Sequence, residues 1–338
     1  INIRELASLA GVSIATVSRV INNPQLVQPD TREHVLEVMR RVNYAPAWTV
    51  ESRLSSRSRL IAFLFSEADY YFYSDIRSGL ESIAGLRGYT VLFCPIAAEQ
   101  QRRSKQLRTI FEQKLDGAIW ALRDFYPEDI KMIDERQVPL VLARKYDSAP
   151  TDRYNCCYIN FAEASYRMTR HLLEMGHRRI GLMFENVSQQ FMNSFCQGWE
   201  LALKEEAAPR EASLLLNAPN SMATMELLDA GEMPEAVFCA SDEQAFGVLK
   251  AAHEKGVRVP EELAVAGFTD SPMSNLCDPE LTTIDLPIYR LGIIAARMLF
   301  DVIEDTGSEV TPGEVVLQPK LRIRRSCGNE KPINVLFE

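Results

Sequence analysis

Between positions 11 and 22 the chain reads Gly-Val-Ser-Ile-Ala-Thr-Val-Ser-Arg-Val-Ile-Asn, and the polar members of that run are short hydroxyls, one guanidinium and one amide. Such groups bond to phosphate oxygens and base edges, and small apolar neighbours meet a thymine methyl. Spacing divides the run into two faces. Val17, Val20 and Ile21 recur at helical intervals and predict an inner face, leaving Ile14, Ala15, Thr16, Ser18, Arg19 and Asn22 on or beside the outer one. Ser13 is placed to cap this helix through its hydroxyl. A first helix with Ile3, Leu6, Ala7 and Ala10 inward is ended by Gly11, and Val12 closes the turn from inside. A third helix follows, with Asp30 or Thr31 as cap and Val35, Leu36, Met39 and Val42 at core spacing. This is the pattern of a helix-turn-helix offering its second helix to a DNA major groove. A solvated helical pair satisfies the same spacing, so spacing alone leaves both readings open.

Charge is divided unevenly along the chain. The net charge is -9, yet residues 1–59 hold eight arginines against five carboxylates, a surplus of +3 that leaves -12 for the remainder. A basic head on an acidic body is expected when only the head meets phosphate. So small a surplus predicts weak binding by one head, with strong dependence on dimerisation and salt.

Several function classes are disfavoured. No apolar run reaches the ~18 residues of a membrane span, and the sequence opens on the first helix without a signal peptide, which predicts a cytoplasmic protein with no membrane partner. The seven cysteines, at 94, 156, 157, 196, 239, 277 and 327, form no CxxC pair and read as reduced thiols. The four histidines have no ligand spacing, so no metal or cofactor is expected. Catalysis is not expected either, because GxSxG, HExxH and GxxxxGK[ST] are all absent.

From Leu60 onward, buried strands alternate with amphipathic helices. Apolar runs at 60–65, 89–94, 117–120 and 139–142 predict strands, with helices at 76–86, 104–113 and 127–136 between them. A second set begins at Cys157 and continues with a helix over 162–175, stopped by Gly176, and strands at 180–184, 236–239 and 264–268. Strands this apolar are covered on both faces, so the sheets are parallel and doubly wound. Two α/β lobes follow, with a ligand cleft between them at the carboxyl ends of the strands.

The head resembles the lactose and galactose repressor (LacI/GalR) family of bacterial transcription regulators. The likeness rests on Ile3-Arg4-Glu5-Leu6-Ala7, Gly11-Val12-Ser13, Thr16-Val17-Ser18-Arg19-Val20-Ile21-Asn22, Thr31-Arg32 and Asn43-Tyr44-Ala45-Pro46. It implies that the positions of Ile14 and Ala15 read bases, and that Ser13, Thr16, Ser18, Arg19, Asn22 and Tyr44 contact bases or backbone. The body resembles the same family at Gly176-His177-Arg178-Arg179-Ile180, Ser241-Asp242-Glu243-Gln244-Ala245-Phe246-Gly247, Gly256-Val257-Arg258-Val259-Pro260, Gly267-Phe268-Thr269-Asp270 and Pro279-Glu280-Leu281-Thr282-Thr283-Ile284. These lobes are periplasmic-binding-protein-like, so a sugar-type receptor without a transcriptional role is the alternative. The helix-turn-helix and the missing export signal speak against it.

The implied architecture is a helical headpiece (1–45), a hinge or linker (46–58) and a two-lobed body (59–338). The N-lobe takes 59–155 with 287–317, and the C-lobe takes 156–286 with 318–328. Family members wedge a hinge leucine into the minor groove. Leu54 is the leucine available here, although it falls one residue late and Ala47 stands where the family has Asn.

The cleft departs further from the family. Arg144 replaces an aspartate, Phe195 replaces an arginine, and the polar pairs read Ser241-Asp242 and Thr269-Asp270. A guanidinium in place of a carboxylate suits an anion by bidentate pairing. Phe72, Tyr73 and Phe195 offer apolar or stacking walls, and Asn193, Asp242 and Asp270 complete the candidate effector set. A sugar acid, sugar phosphate or other anionic metabolite is the implied effector; the competing account has Arg144 folded out into solvent or paired with Asp270.

One head in one groove gives little affinity, so a homodimer on double-stranded operator DNA is expected, with the apolar helices 76–86 and 291–303 as candidate faces. Its tail is too short for a coiled-coil tetramer. The whole reads as a repressor-type allosteric switch, in which the effector acts by differential binding to two states as inducer or corepressor.

Overall fold

The computed structural model describes residues 3–22, 26–42, 57–67, 74–146, 153–184, 189–208, 215–216, 221–229, 231, 233–304 and 312–328. The head contains helices α1 (Ile3–Leu9), α2 (Ile14–Asn22) and α3 (Pro29–Arg41). Leu6, Ala7, Ala10, Val17, Val20, Val35, Val38 and Met39 close into one apolar cluster, with Val12 and Val42 against it. Gly11 takes φ +64, a left-handed turn after which the Val12 amide bonds back to the Ala7 carbonyl at 3.0 Å. Ser13 Oγ then accepts from the Thr16 amide at 3.0 Å and caps α2.

Two expectations for α3 are corrected. Its first residue is Pro29, whose fixed φ suits that position, and the Gln28 carbonyl accepts from the Arg32 amide at 2.9 Å, so the helix starts before Asp30 and Thr31. Leu36 is exposed and Val38 is buried in its place. The inward stripe therefore runs 35, 38, 39, 42, which is the spacing one helical face requires.

In the body, β1 (Leu60–Ser66), α4 (Ser74–Leu86), β2 (Thr90–Ile96), α5 (Gln100–Phe111), β3 (Gly117–Ala121), α6 (Pro127–Arg136), β4 (Leu140–Leu142) and β5 (Asn155–Ile159) make up the first run. The second holds α7 (Phe161–Glu174), β6 (Ile180–Met183), α8 (Gln189–Glu205), β7 (Leu215–Leu216), α9 (Ser221–Asp229), β8 (Ala236–Cys239), α10 (Asp242–Lys255) and β9 (Ala264–Ala266). The chain returns through β10 (Thr283–Asp285), α11 (Ile288–Glu304), β11 (Glu314–Leu317) and β12 (Lys320–Arg322).

Two parallel sheets result, in the orders β11-β5-β4-β3-β1-β2 and β7-β6-β8-β9, while β10 and β12 pair antiparallel. β5 lies between β4 and β11, with Leu142 opposite Cys156 and Val315 opposite Cys157. It therefore belongs to the first sheet, and the expectation that residues from 156 open the second lobe is corrected to a start at α7. An apolar run declares a strand, but only its hydrogen-bonded neighbours declare its sheet.

The two apolar helices considered as dimer faces turn their apolar stripes inward. Ile76, Leu80 and Ala84 of α4 and Leu291, Ala295, Ala296, Leu299 and Phe300 of α11 are buried, and the helices cross where Gly79 meets Gly292. A Cβ on Gly292 would collide with the Ile76 carbonyl. All seven cysteines are free thiols. Among the described residues, no helix is long and apolar enough to cross a membrane, and no cluster of three metal-ligating side chains occurs.

The crossing predicts opposite outcomes for two glycines on this helix pair. Gly292→Ala forces the helices apart and is expected to destabilise the chain by about 1–3 kcal/mol. Gly85→Ala, whose Cβ would meet nothing within 4 Å, is expected to stabilise it by up to about 1 kcal/mol through helix propensity. Urea unfolding of both variants checks the pair.

Candidate functional site

Two surfaces carry the candidate residues. On the head, Ser13, Ile14, Ala15 and Arg19 are exposed and Thr16 and Ser18 are half-buried, while Val17 and Val20 of the same helix are buried. The Ser13 hydroxyl also shares a 2.9 Å hydrogen bond with Thr16 Oγ1, so capping and side-chain contact fix the first turn of α2 together. The result is a rigid edge on which Ile14, at 47% exposure, projects into solvent beside Ala15 and Arg19. The Asn22 side chain, Tyr44 and Leu54 lie outside the described residues, as do Phe72 and Tyr73 of the effector set.

The second surface is a cavity of about 1020 Å³ at the carboxyl ends of β3, β4 and β5. One wall is formed by residues 123–127 and 143–146, the floor by 158–162, and the facing wall by the start of α8. Arg123, Arg144 and Lys145 lie in the lining with Asp124 as its carboxylate, beside Tyr126, Tyr158, Phe161 and Phe191. Gln190 Nε2 crosses between the walls and donates to the Lys145 carbonyl at 2.7 Å.

Much of the first wall is held from behind. Arg103 and Asp129 are buried and pair through two bonds of 2.9 and 2.7 Å. Asp129 Oδ2 also accepts from the Tyr126 amide at 2.8 Å, and the Arg103 guanidinium lies 4.8 Å from the Tyr126 ring centre. A buried carboxylate needs such partners, and here they set the path of the 123–127 loop. At the rim, Lys145 Nζ donates to Tyr158 Oη and Glu314 Oε1, both at 3.3 Å. These contacts, Tyr158 first and Glu314 second, raise the Lys145 pKa and keep the ammonium charged. Cys156 donates to the Arg144 carbonyl at 3.2 Å, and burial raises its thiol pKa to about 12, so it stays protonated beside the cavity.

The sequence-derived effector residues separate into two groups. Half-buried Arg144 and exposed Asn193 line the cavity, and Asn193 Oδ1 accepts from Gln189 Nε2 at 2.8 Å. Phe195 does not; it is fully buried, with ring centres of Phe238, Phe268, Phe191 and Phe184 at 4.6 to 5.6 Å. Helical geometry explains the correction. Phe195, Gly198, Trp199 and Ala202 share the face pressed on α7, where a Cβ on Gly198 would collide with the Ala162 carbonyl. The cavity is met by 190, 193, 194 and 197, one face over. The aromatic wall expected from Phe195 is supplied by Phe191 and Phe161, whose rings lie 5.1 Å apart. That period was readable before the structure, since the small and apolar residues at 195, 198, 199 and 202 repeat at helical spacing.

Asp242 and Asp270 are likewise absent from the cavity lining. Asp242 is fully buried and accepts from Thr283 Oγ1, the Ser271 amide and Ser274 Oγ at 2.5, 2.6 and 2.7 Å. It ties α10 to the 272–275 turn and to β10, which corrects its assignment to the cleft. Ser241 Oγ caps α10, accepting from the Gln244 amide at 3.2 Å. Asp270 pairs with Arg324 at 2.6 Å and Arg322 at 3.5 Å, so two arginines at and just after the end of β12 engage this carboxylate, and the competing pairing with Arg144 is not seen.

Residues 2–47 match the family described as bacterial regulatory proteins, lacI family, and residues 169–327 match a periplasmic binding protein-like domain; together they take in well over half the chain. Catabolite control protein A of Priestia megaterium is 28% identical over 305 residues, covering 88% of this chain and 91% of that protein. The solved transcriptional regulator CelR–cellobiose complex is 28% identical, with TM-score 0.71 over 96% of this chain and 99% of the other. The lac repressor dimer bound to operator and the anti-inducer ONPF is 25% identical, with TM-score 0.68 over 97% and 99%. These relatives are regulators rather than enzymes, and the chain belongs to the LacI/GalR family of DNA-binding bacterial transcription regulators.

Proposed function

We propose that this regulator is a cytoplasmic homodimeric repressor whose operator affinity is set by an anionic small molecule in the interlobe cleft. The observation that carries the effector class is the cavity lining, in which, among the described residues, Arg123 and Arg144 stand with one carboxylate, Asp124, and Lys145 is paired with Glu314 at the rim. A sugar acid or sugar phosphate supplies both the anion for these cations and hydroxyls for the amides of Asn193, Gln197 and Asn160, which share the lining. The relatives support the mode of action: one is complexed with cellobiose, and another is a dimer bound to operator and an anti-inducer.

On the DNA side, Ser13, Ile14, Ala15, Thr16, Ser18, Arg19, Asn22 and Tyr44 form the proposed contact set, with Leu54 as the minor-groove wedge. Ile14 and Ala15 bring no hydrogen-bonding side chain to base edges, so shape and deformability of the site carry part of the specificity. Dimerisation is assigned to surfaces other than the buried stripes of α4 and α11. Exposed Leu276, Met273, Leu86 and Tyr289 are among the apolar groups open to a second copy.

Calorimetry of the full chain against sugar acids, sugar phosphates and neutral sugars tests the effector class. An anion is expected to bind, with Arg144→Ala weakening it about 10- to 100-fold, the worth of a charge-assisted hydrogen bond. Binding of neutral sugars alone, unchanged by Arg144→Ala, would sink the proposal. On the DNA side, Arg19→Ala is expected to weaken duplex binding and to lower the salt slope by about one per head. Fluorescence anisotropy across a salt series reads both effects; an unchanged slope removes Arg19 from the phosphate contacts.

A further inference from the structure

The chain entering β1 is gripped in a socket remote from the cavity lining. Asp116, just before β3, accepts from the Ser58 amide at 2.9 Å and Ser58 Oγ at 3.0 Å on one oxygen, and from the Arg59 amide at 3.0 Å on the other. Its own amide donates to the Leu60 carbonyl at 2.9 Å. Arg59 takes φ +59, a conformation its β-carbon disfavours. Successive N–H groups converge on an anion when the backbone turns through this region, so the carboxylate and the turn support each other.

The preceding residue is tied to a different element. Arg57 Nη2 donates to the Ile303 carbonyl, at the end of α11, at 2.8 Å, and Nη1 reaches Tyr89 Oη at 3.5 Å. The Arg59 guanidinium lies 5.1 Å from the Tyr89 ring centre. Residues 57–59 are thus held by the β3 turn, the end of α11 and Tyr89 together. The other end of α11 is at Ile288, just after β10, where the chain returns to the first sheet, so one helix joins that return to the socket.

We infer that Asp116 is a positioning residue for DNA recognition: it fixes the direction in which the linker leaves the body, and with it the placing of two heads on two half-sites. The inference rests on the two-headed reading above. A fixed exit matters only when both heads bind at once, because simultaneous engagement needs a matched span. A single head on a single half-site is indifferent to it.

The test uses a duplex selected from random-sequence DNA by the full wild-type chain, together with a truncated duplex keeping one half-site. Asp116→Asn keeps the size of the side chain but presents N–H groups where an acceptor is needed. It is expected to lose about tenfold or more on the two-site duplex while changing affinity for the half-site by less than about twofold. Ser58→Ala, which removes one of the three bonds and is the milder variant should Asp116→Asn fold poorly, is expected to show a smaller loss in the same direction. Hydrogen exchange at the Ser58 and Arg59 amides should quicken in Asp116→Asn. Equal losses on both duplexes, or a two-site advantage that survives both substitutions, overturns the inference and leaves the two-headed reading standing. A wild-type chain with no two-site advantage overturns both.

Discussion

The body is a pair of parallel sheets joined by three short crossings of chain, and the cleft opens beside them. The crossings fall at 159–161, 285–288 and 317–320. They are tied to one another: the Asn160 amide donates to the Leu317 carbonyl at 3.1 Å, and β10 pairs with β12. Arg322 bonds Asp285 at 2.6 Å across that pair, and Asp270 is held by Arg324 and Arg322. Any rotation of one lobe on the other must be absorbed in this bundle. A hinge of three tied strands permits a change of angle and resists sliding, which is the motion a cleft-bound effector can bias.

Seen from this hinge, the polar residues of the C-lobe have a shared logic. Asp242 gathers three donors from the 271–274 turn and β10, and Ser326 Oγ bridges the Thr282 amide and the Val265 carbonyl at 2.9 and 2.6 Å. A buried carboxylate with three good donors has few ways to rearrange. These groups stiffen the ground beneath the crossings, and the cavity itself is lined by α8 and by the loops after β3 and β4.

The head was legible almost residue by residue, because its helices are short, their inner stripes are apolar, and glycine and serine mark the ends in the usual chemistry. Among the described residues of the head, the start of α3 and the exchange of Leu36 for Val38 escaped. Strands β1 to β6, β8 and β9 announced themselves as apolar runs, whereas the short β7, β10, β11 and β12 did not, and the sheet to which β5 belongs was hidden because membership is decided by hydrogen-bonded neighbours far away in sequence. Of the residues picked for the cleft, Arg144 and Asn193 line the cavity, whereas Phe195, Asp242 and Asp270, picked by positional likeness, lie outside its lining. Their burial and pairing depend on which helix face meets α7 and on where β12 returns. A carboxylate looks alike in a sequence whether it awaits a ligand or satisfies its neighbours.

The Gln190 amide that spans the cleft ends on a backbone carbonyl, and neither group carries a charge. Counterions therefore have little purchase on this bridge, whereas the head's hold on phosphate weakens as they accumulate. The two ends of the molecule answer to different properties of the surrounding fluid. Added salt loosens the head's grip on DNA and leaves the Gln190 bond across the cleft in place.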